Sequence, residues 1–202
     1  MGFFDIFRSR PPIPDLAALA DFADENSAFL VQKGIYEYCR ARAGHYAKVL
    51  FSEPEFLAAA EHSRWSAWPL GLAMVAEVVE GILRQAAGDE RHAAHRSLNA
   101  LVLSVFDRYP VPASIGEQAW AGARQELQRR LGLIGLHATK PAMDIPEPFA
   151  QAYFDLIPLD PSLRTAEFPT IHNYLRVTMC NIHDEFSKRA DVPALAAMLC
   201  AR

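Results

Sequence analysis

The chain has 202 residues, 51% of them hydrophobic, and a formal net charge of −4 from 20 basic and 24 acidic side chains. This acidic balance argues against a nucleic-acid surface, because duplex binding needs clustered cations. A chain of this length can fold around one core without metals or disulfides.

Cysteine usage and hydropathy favour a cytoplasmic protein. Cys39, Cys180 and Cys200 are far apart and form no CxxC pair, which is typical of a reducing compartment. The longest stretch without a charged residue, residues 65–76, is shorter than the roughly 20 residues that a membrane-spanning helix needs. The first residues also lack the cationic and apolar regions of a secretory signal.

The first ten residues, MGFFDIFRSR, are unusually rich in aromatic side chains. Burial of Phe3, Phe4 and Phe7 is worth about 1.5–3 kcal/mol each, so the segment gains free energy only where it finds an apolar surface. That surface belongs to its own domain, to a protein partner or second copy, or to a membrane, where contact would be weak and peripheral. We predict a segment-and-linker region over 1–14 and a single helical domain over 15–202.

Helix signals fill the first half of this domain. Asp15 is a predicted N-cap, the acidic patch Asp21–Asn26 is expected to divide the following stretch into two helices, and Gly44 ends the second. The run Ser52–Glu55 reads as a capping box that opens a helix to about His62. Pro69 is expected to open a separate helix that ends near Gly88.

Similar signals continue to the end of the chain. The predicted helices begin at Asp89, at Ser114, at Pro146, at Asp160–Pro161, at Pro169 and at Asp191, with a loop over 132–145. No segment alternates with a period of two for long enough to indicate a strand. The predicted fold class is therefore all-α, an irregular single-domain bundle of about seven to nine helices with no significant β-sheet.

The helix predicted from Pro169 has two contrasting faces. One face is expected to pack inward and carries Ile171, Leu175, Thr178, Ile182 and Phe186. The other carries His172, Arg176, Met179 and His183. Two histidines beside an arginine suit the binding of an anion or a proton transfer near neutral pH. Alternatively, this face of the helix is simply solvated, or it contacts another protein.

Two further groups of residues are candidates for function. His92 and His95 share one helical face, but no Glu-x-x-His sequence accompanies them, so we predict surface or interface residues, no metal and no cofactor. Trp65 and Trp68 flank a short turn-like sequence. Large aromatic residues there either fill the core between helices or present an anchor to a partner.

No catalytic signature accompanies these candidates. The sequence lacks G-x-S-x-G and the glycine-rich phosphate loops, and we assign it to no family. The predicted function is a non-catalytic interaction protein, that is, an adaptor, assembly factor or regulator with a protein partner or self-association. Its contacts would use Phe3, Phe4, Phe7, Trp65 and Trp68. The alternative is a small-molecule-binding or enzymatic protein with a His/Arg site between helices, formed from His172, Arg176, His183, His92 and His95.

Overall fold

The protein is all-α, as the sequence predicts. The structure, a computed structural model, describes residues 11–164 and 166–201, with Pro161 and Leu163 described by their backbone alone. Over these ranges no strand occurs, and Ile13 and Ala190 form an isolated bridge. The α-helices there are α1 Leu16–Val31, α2 Tyr38–Ala43, α3 Ala47–Leu50, α4 Pro54–Ala87, α5 Arg91–Phe106, α6 Glu117–Ile134, α7 Ala150–Asp155, α8 Pro161–Arg164, α9 Phe168–Arg189 and α10 Val192–Cys200.

The number of long helices is smaller than predicted. In the described part of the chain, six helices have nine residues or more, whereas the sequence predicts about seven to nine helices. The remaining helices are turns of four to six residues. The aromatic positions Phe3, Phe4 and Phe7 lie outside the described residues, so their predicted contacts stay a prediction.

Helix α4 forms the centre of the molecule and packs against α1, α5, α6, α9 and α10. Every residue from Gly71 to Glu80 is buried, so the helix has no solvated face in its middle. A helix that is apolar all round is stable only when neighbours cover it on every side. The closest neighbour is α1, because a Cβ on Gly71 would lie 3.2 Å from the Cα of Ser27.

The predicted helix boundary at Pro69 is wrong. Helix α4 runs through Pro69, which is buried in its interior. An internal proline costs about 3 kcal/mol, because it removes a backbone hydrogen bond. Burial of each large side chain that follows, such as Leu72 and Met74, is worth about 1.5–3 kcal/mol, and this tertiary packing outweighs the cost.

The capping box predicted at Ser52–Glu55 is also wrong. Glu53 occupies the N-cap of α4 and its side chain makes no capping bond. The Ser52 hydroxyl instead donates to the Val49 carbonyl at 2.7 Å, so it closes the preceding turn. Asp89 and Ser114 cap no helix either, since Glu90 and Gly116 stand at the N-caps of α5 and α6.

The acidic patch Asp21–Asn26 does not interrupt α1. The helical pattern changes further on, where a π-helix spans Gln32–Glu37. There the Leu30 carbonyl accepts hydrogen bonds from the hydroxyls of Tyr153, at 2.7 Å, and Tyr174, at 3.1 Å. These two donors compete with the backbone bond that Leu30 would accept from Gly34 in an α-helix. The π-helix therefore has a tertiary cause.

Several local predictions are confirmed. Asp15 and Asp191 accept capping bonds from the backbone of Ala18 and Ala194, and Gly44 ends α2 with a positive φ of 53°. The Glu126 and Arg130 side chains also form an i,i+4 pair at 2.7 Å. The predicted inner face of α9 is buried at all five positions, Ile171, Leu175, Thr178, Ile182 and Phe186.

The proline-rich segment before α1 is fastened to the end of α9. The Ile13 N–H donates to the Arg189 carbonyl at 2.8 Å, and the Ile13 carbonyl accepts from Asp191 at 3.1 Å. The Ile13 side chain is buried in the core, and the Arg189 guanidinium donates to the Pro11 carbonyl. Residue 11 therefore enters the fold at the junction of α1 and α9.

One helical stretch of the described chain is long and apolar enough to cross a membrane by length and composition. It lies within Pro54–Phe106, and its most apolar window has a mean hydropathy of 1.4. Of this window, 78% is buried inside the fold. The core helix of a soluble protein has the same properties, so the stretch is weak evidence for a membrane span.

Candidate functional site

A cluster of five aromatic side chains joins the middle of α4 to the helices beside it. We call this the aromatic cluster, and its members are Trp65, Trp68, Phe106, Tyr109 and Trp120. The rings of Trp68, Phe106 and Trp120 are nearly parallel, with Phe106 and Trp120 centroids 4.2 Å apart. Trp65 and Tyr109 meet Trp68 edge-on at 6.0 and 4.7 Å, which is a favourable geometry for aromatic rings.

The two tryptophans predicted from the sequence have different positions in this cluster. Trp68 is 4% exposed and fills the core, whereas Trp65 is only half-buried. The Trp65 indole N–H donates to a Glu61 carboxylate oxygen at 3.0 Å, and the Arg64 guanidinium lies 4.8 Å above the ring. Trp65 therefore combines an apolar face with polar neighbours at the rim of a concave surface.

This concave surface is a groove of about 450 Å³, which we call the aromatic groove. Its floor includes Trp65, Trp68 and Tyr109. Its opposite wall comes from α1 and the π-helix, whose Gln32 and Tyr36 both line it. The π-helix turns these side chains to the groove, and such local irregularities are frequent at functional sites. The volume falls within the range of small-ligand and peptide pockets, about 300–1,000 Å³.

A second groove of about 730 Å³ lies on the other side of α1, and we call it the proline groove. It runs between Pro11, Pro12, α1 and α9. Glu25 and Phe29, one turn apart on α1, line both grooves and form the wall between them. Phe29 is 44% exposed, which is unusual for a phenylalanine on a helix whose other large side chains are mostly buried.

The proline groove has an excess of acidic side chains, whereas the aromatic groove is lined by one acid, Glu25, and one base, Arg64. Glu25 is exposed and makes no ion pair or hydrogen bond within the described residues. Asp21 of the proline groove pairs with Arg108 at 2.8 Å, and Glu185 pairs with Arg189. In the aromatic groove, burial raises the pKa of Tyr36, while Arg64 opposes the shift, so the phenol remains a neutral donor.

Asp24 shows why the acidic patch stays helical. The Tyr109 hydroxyl donates to both carboxylate oxygens of Asp24, at 2.8 and 3.0 Å. Burial and this carboxylate raise the pKa of Tyr109, so the donor proton is retained. Together with the Arg108–Asp21 pair, this bond holds the end of α5 against α1 and keeps Tyr109 in the aromatic groove.

The polar stripe predicted on α9 does not form one open site. His172 Nε2 lies 2.9 Å from a Glu147 oxygen, and Arg176 donates to the Met143 carbonyl at 3.2 Å. These bonds attach the loop before α7 to α9. Met179 is fully buried and His183 is exposed, so the stripe crosses from the core to the solvent.

His92 and His95 lie elsewhere, in a third cavity of about 390 Å³ that we call the histidine pocket. It is formed where α4 ends, α5 begins and α6 ends, and His172, Arg176 and His183 do not line it. Glu80 and Arg91 also line this pocket. Sequence reasoning missed Arg84 and His137, because they come from the end of α4 and from the turn after α6.

Neither a cluster of metal-ligand side chains nor a disulfide occurs within the described residues. Over 11–164 and 166–201, no group of three or more His, Cys, Asp or Glu side chains is placed to hold a metal ion. All three cysteines are free thiols. Burial raises the pKa of the Cys39 thiol to about 12, so this group stays protonated and unreactive at neutral pH.

The sequence pointed to only part of the aromatic groove. Trp65 and Trp68 were identified as candidates, but Phe29 and Tyr109 were missed, since each looks like an ordinary core position. The one signal in the sequence that could have indicated the groove was the position of Phe29 close to the acidic patch of α1. The chain matches no protein-family model, no curated protein and no solved structure at a significant level of similarity.

Proposed function

We propose that this protein is a non-catalytic helical interaction protein, an adaptor, assembly factor or regulator, that docks a polypeptide segment across α1. The observation that carries this proposal is the pair of adjoining grooves with Glu25 and Phe29 as their shared wall. Exposed aromatic residues beside apolar clefts are typical anchors of protein interfaces. The proposal includes a cytoplasmic location and, as the partner, another protein or a second copy of this chain.

The chemistry of the grooves defines the occupant. Aromatic side chains suit the aromatic groove, since Trp65 and Tyr109 each present a half-buried ring. Basic side chains suit the rim, because Glu25 has no partner among the described residues. The expected occupant is therefore a segment with aromatic residues followed by basic ones.

The chain itself contains a segment of this kind. Residues 1–10 carry Phe3, Phe4 and Phe7 and two arginines, and Pro11, the next residue, lines the proline groove. Ten extended residues span at most about 33–36 Å. We commit to residues 1–10, from the same or a second copy, as the segment to test. A partner protein would compete for the same surface.

The experiment titrates the chain without residues 2–10, whose own segment cannot fill the groove, with a synthetic peptide of residues 1–10, and it follows tryptophan fluorescence, since Trp65 and Trp68 line the groove. We expect saturable binding, and Phe29→Ser should weaken it about fivefold or more, because one apolar anchor is lost. The matched control is Leu133→Ser on α6, where Leu133 is 46% exposed and Phe29 is 44% exposed.

Two results would contradict the proposal. One is the absence of a saturable fluorescence change with the peptide, so that it gives the same result as a control peptide in which both arginines are replaced by glutamate. The other is an equal loss of affinity in the Phe29 and Leu133 variants, which would indicate non-specific apolar contact.

A further inference from the structure

The histidine pocket is separate from the docking grooves and has an unusual balance of charge. Its two nearest buried carboxylates are both paired. Glu80 forms a bidentate pair with Arg84, at 2.8 and 2.7 Å, and Glu77 lies 2.8 Å from the Lys140 ammonium. Each carboxylate is therefore neutralised before any ligand arrives, and neither repels an anion strongly.

The pocket also contains an arginine and a histidine that no other described side chain engages. Arg91 and His92 make no hydrogen bond or ion pair within the described residues. His137 uses Nδ1 to donate to the Ala138 carbonyl at 2.9 Å, which leaves Nε2 3.7 Å from Glu77. Asp89 and Glu90 precede Arg91 in the chain, but neither lines the pocket.

His95 adds an unsatisfied group to the wall. Its Nε2 lies 3.0 Å from the Asn99 amide nitrogen, which is a donor, so Nε2 accepts and the proton of the neutral ring is on Nδ1. That nitrogen is buried and has no hydrogen-bond partner. Because this atom has almost no exposed surface, His95 contributes its ring to the wall of the pocket and not a hydrogen bond to a ligand.

The wall of the pocket is held in place without a ligand. Arg84 donates to the carbonyls of Ile134, at 3.0 Å, and His137, at 2.6 Å, so it fixes the end of α6 and the following turn. Gly135 packs directly on His95, since a Cβ there would lie 2.9 Å from the ring. A cavity that is already ordered spends little free energy on rearrangement when it binds.

From this geometry we propose that the histidine pocket binds a small soluble anion that carries a phosphate group, with Arg91 and His92 as its main contacts. The volume of about 390 Å³ accommodates a phosphate with a short carbon skeleton. Arginine is well suited to phosphate because its planar fork donates two parallel hydrogen bonds.

The test is calorimetric titration of the full chain with inorganic phosphate and with glycerol phosphate, in a buffer without phosphate. We expect saturable binding that Arg91→Gln and His92→Gln each weaken about fivefold or more. The matched control is Arg96→Gln, an exposed position on the same helix outside the pocket, which should change the affinity less than about twofold. The imidazole NMR signals of His92 and His95 should shift on phosphate addition.

Three outcomes would overturn the proposal. The first is no saturable binding of either soluble phosphate. The second is an equal effect of Arg96→Gln and Arg91→Gln, which would indicate a diffuse electrostatic attraction. The third is binding of acetate as tight as phosphate, or binding only to vesicles that contain phosphatidic acid, since the ligand would then be a carboxylate or a lipid surface.

Discussion

At the scale of single residues, the Leu30 carbonyl determines the conformation of the segment after α1. Two tyrosine hydroxyls, from Tyr153 and Tyr174, donate to it. The approach of both rings is possible only because residue 34 is glycine. A Cβ on Gly34 would lie 2.4 Å from the Tyr153 hydroxyl oxygen and 2.7 Å from the Tyr174 ring. The wall of the aromatic groove thus depends on the absence of a Cβ atom at Gly34.

Gly34→Ala should therefore destabilise the protein by about 2 kcal/mol, because overpacking in a filled core typically costs about 1–3 kcal/mol. Chemical denaturation gives the free energy of unfolding. The control is Gly122→Ala in α6, where a Cβ has no atom within 4 Å and the change should be neutral or stabilising by about 0.5–1 kcal/mol. Equal stability of the Gly34 variant and the wild type would contradict this account of the π-helix.

His95 should make stability depend on pH. Burial lowers the pKa of this imidazole in the folded state, with Glu80 opposing the shift and Arg84, His92 and Arg96 supporting it. The unfolded chain, with an ordinary pKa of about 6.5, then binds the proton more readily. The free energy of unfolding should therefore fall as the pH drops through the ordinary pKa, until the pH is below the folded value.

The measurement is denaturant unfolding of the wild type and His95→Gln at several pH values between neutrality and mild acid. The variant should lose the part of the pH dependence that His95 contributes, whatever its overall stability. Parallel curves for the two proteins would show that another group causes the dependence.

At the scale of elements, Arg84 connects α4 to the end of α6. It neutralises Glu80, whose side chain is 7% exposed, and it donates to the carbonyls of Ile134 and His137. Those carbonyls lie at and beyond the C-terminus of α6, where backbone acceptors lack helical partners and a cation interacts favourably with the helix dipole. The Arg84 side chain therefore neutralises a buried carboxylate and also donates hydrogen bonds to free carbonyls at the end of a helix.

Arg84→Met should cost about 3–5 kcal/mol, because it leaves Glu80 as a buried charge without a partner. The double variant with Glu80→Gln should recover part of this loss, since the buried charge is then absent. Arg129→Met, which removes an exposed arginine from its pair with Glu126, should change the free energy of unfolding far less, because solvent screens the pair. Thermal and denaturant unfolding provide the comparison, and a double variant no more stable than Arg84→Met would contradict the explanation.

At the scale of the whole molecule, the segment before Pro11 is expected to act in association and not in folding. Ile13 remains anchored to α9 by its two backbone bonds when the first residues are removed. Deletion of residues 2–10 should therefore keep the helical circular dichroism spectrum. It should abolish association with a partner, a second copy or anionic vesicles, as measured by light scattering and co-sedimentation. Unfolding of the shortened chain would instead assign Phe3, Phe4 and Phe7 to the core.

Some features were predictable because their causes are local. The caps at Asp15 and Asp191 and the end of α2 at Gly44 follow from side chains that bond to backbone within three residues or from a positive φ. The errors at Pro69 and at the acidic patch Asp21–Asn26 have the opposite origin. The helix continues through Pro69 because α4 is buried among five other helices. The acidic patch stays helical because of Arg108 and Tyr109, which lie more than eighty residues away in the chain.

The amino-acid sequence by itself determined that the protein is all-α, and it determined which face of α9 is buried, because helical periodicity records the side of each helix that leaves water. Only the tertiary structure decided that α1, α4 and the end of α5 enclose the aromatic groove, and that His92 and His95 meet Arg84 and His137 in the histidine pocket. The physical reason is that concave sites are built from contacts between distant segments, and no periodicity within one helix encodes its neighbour.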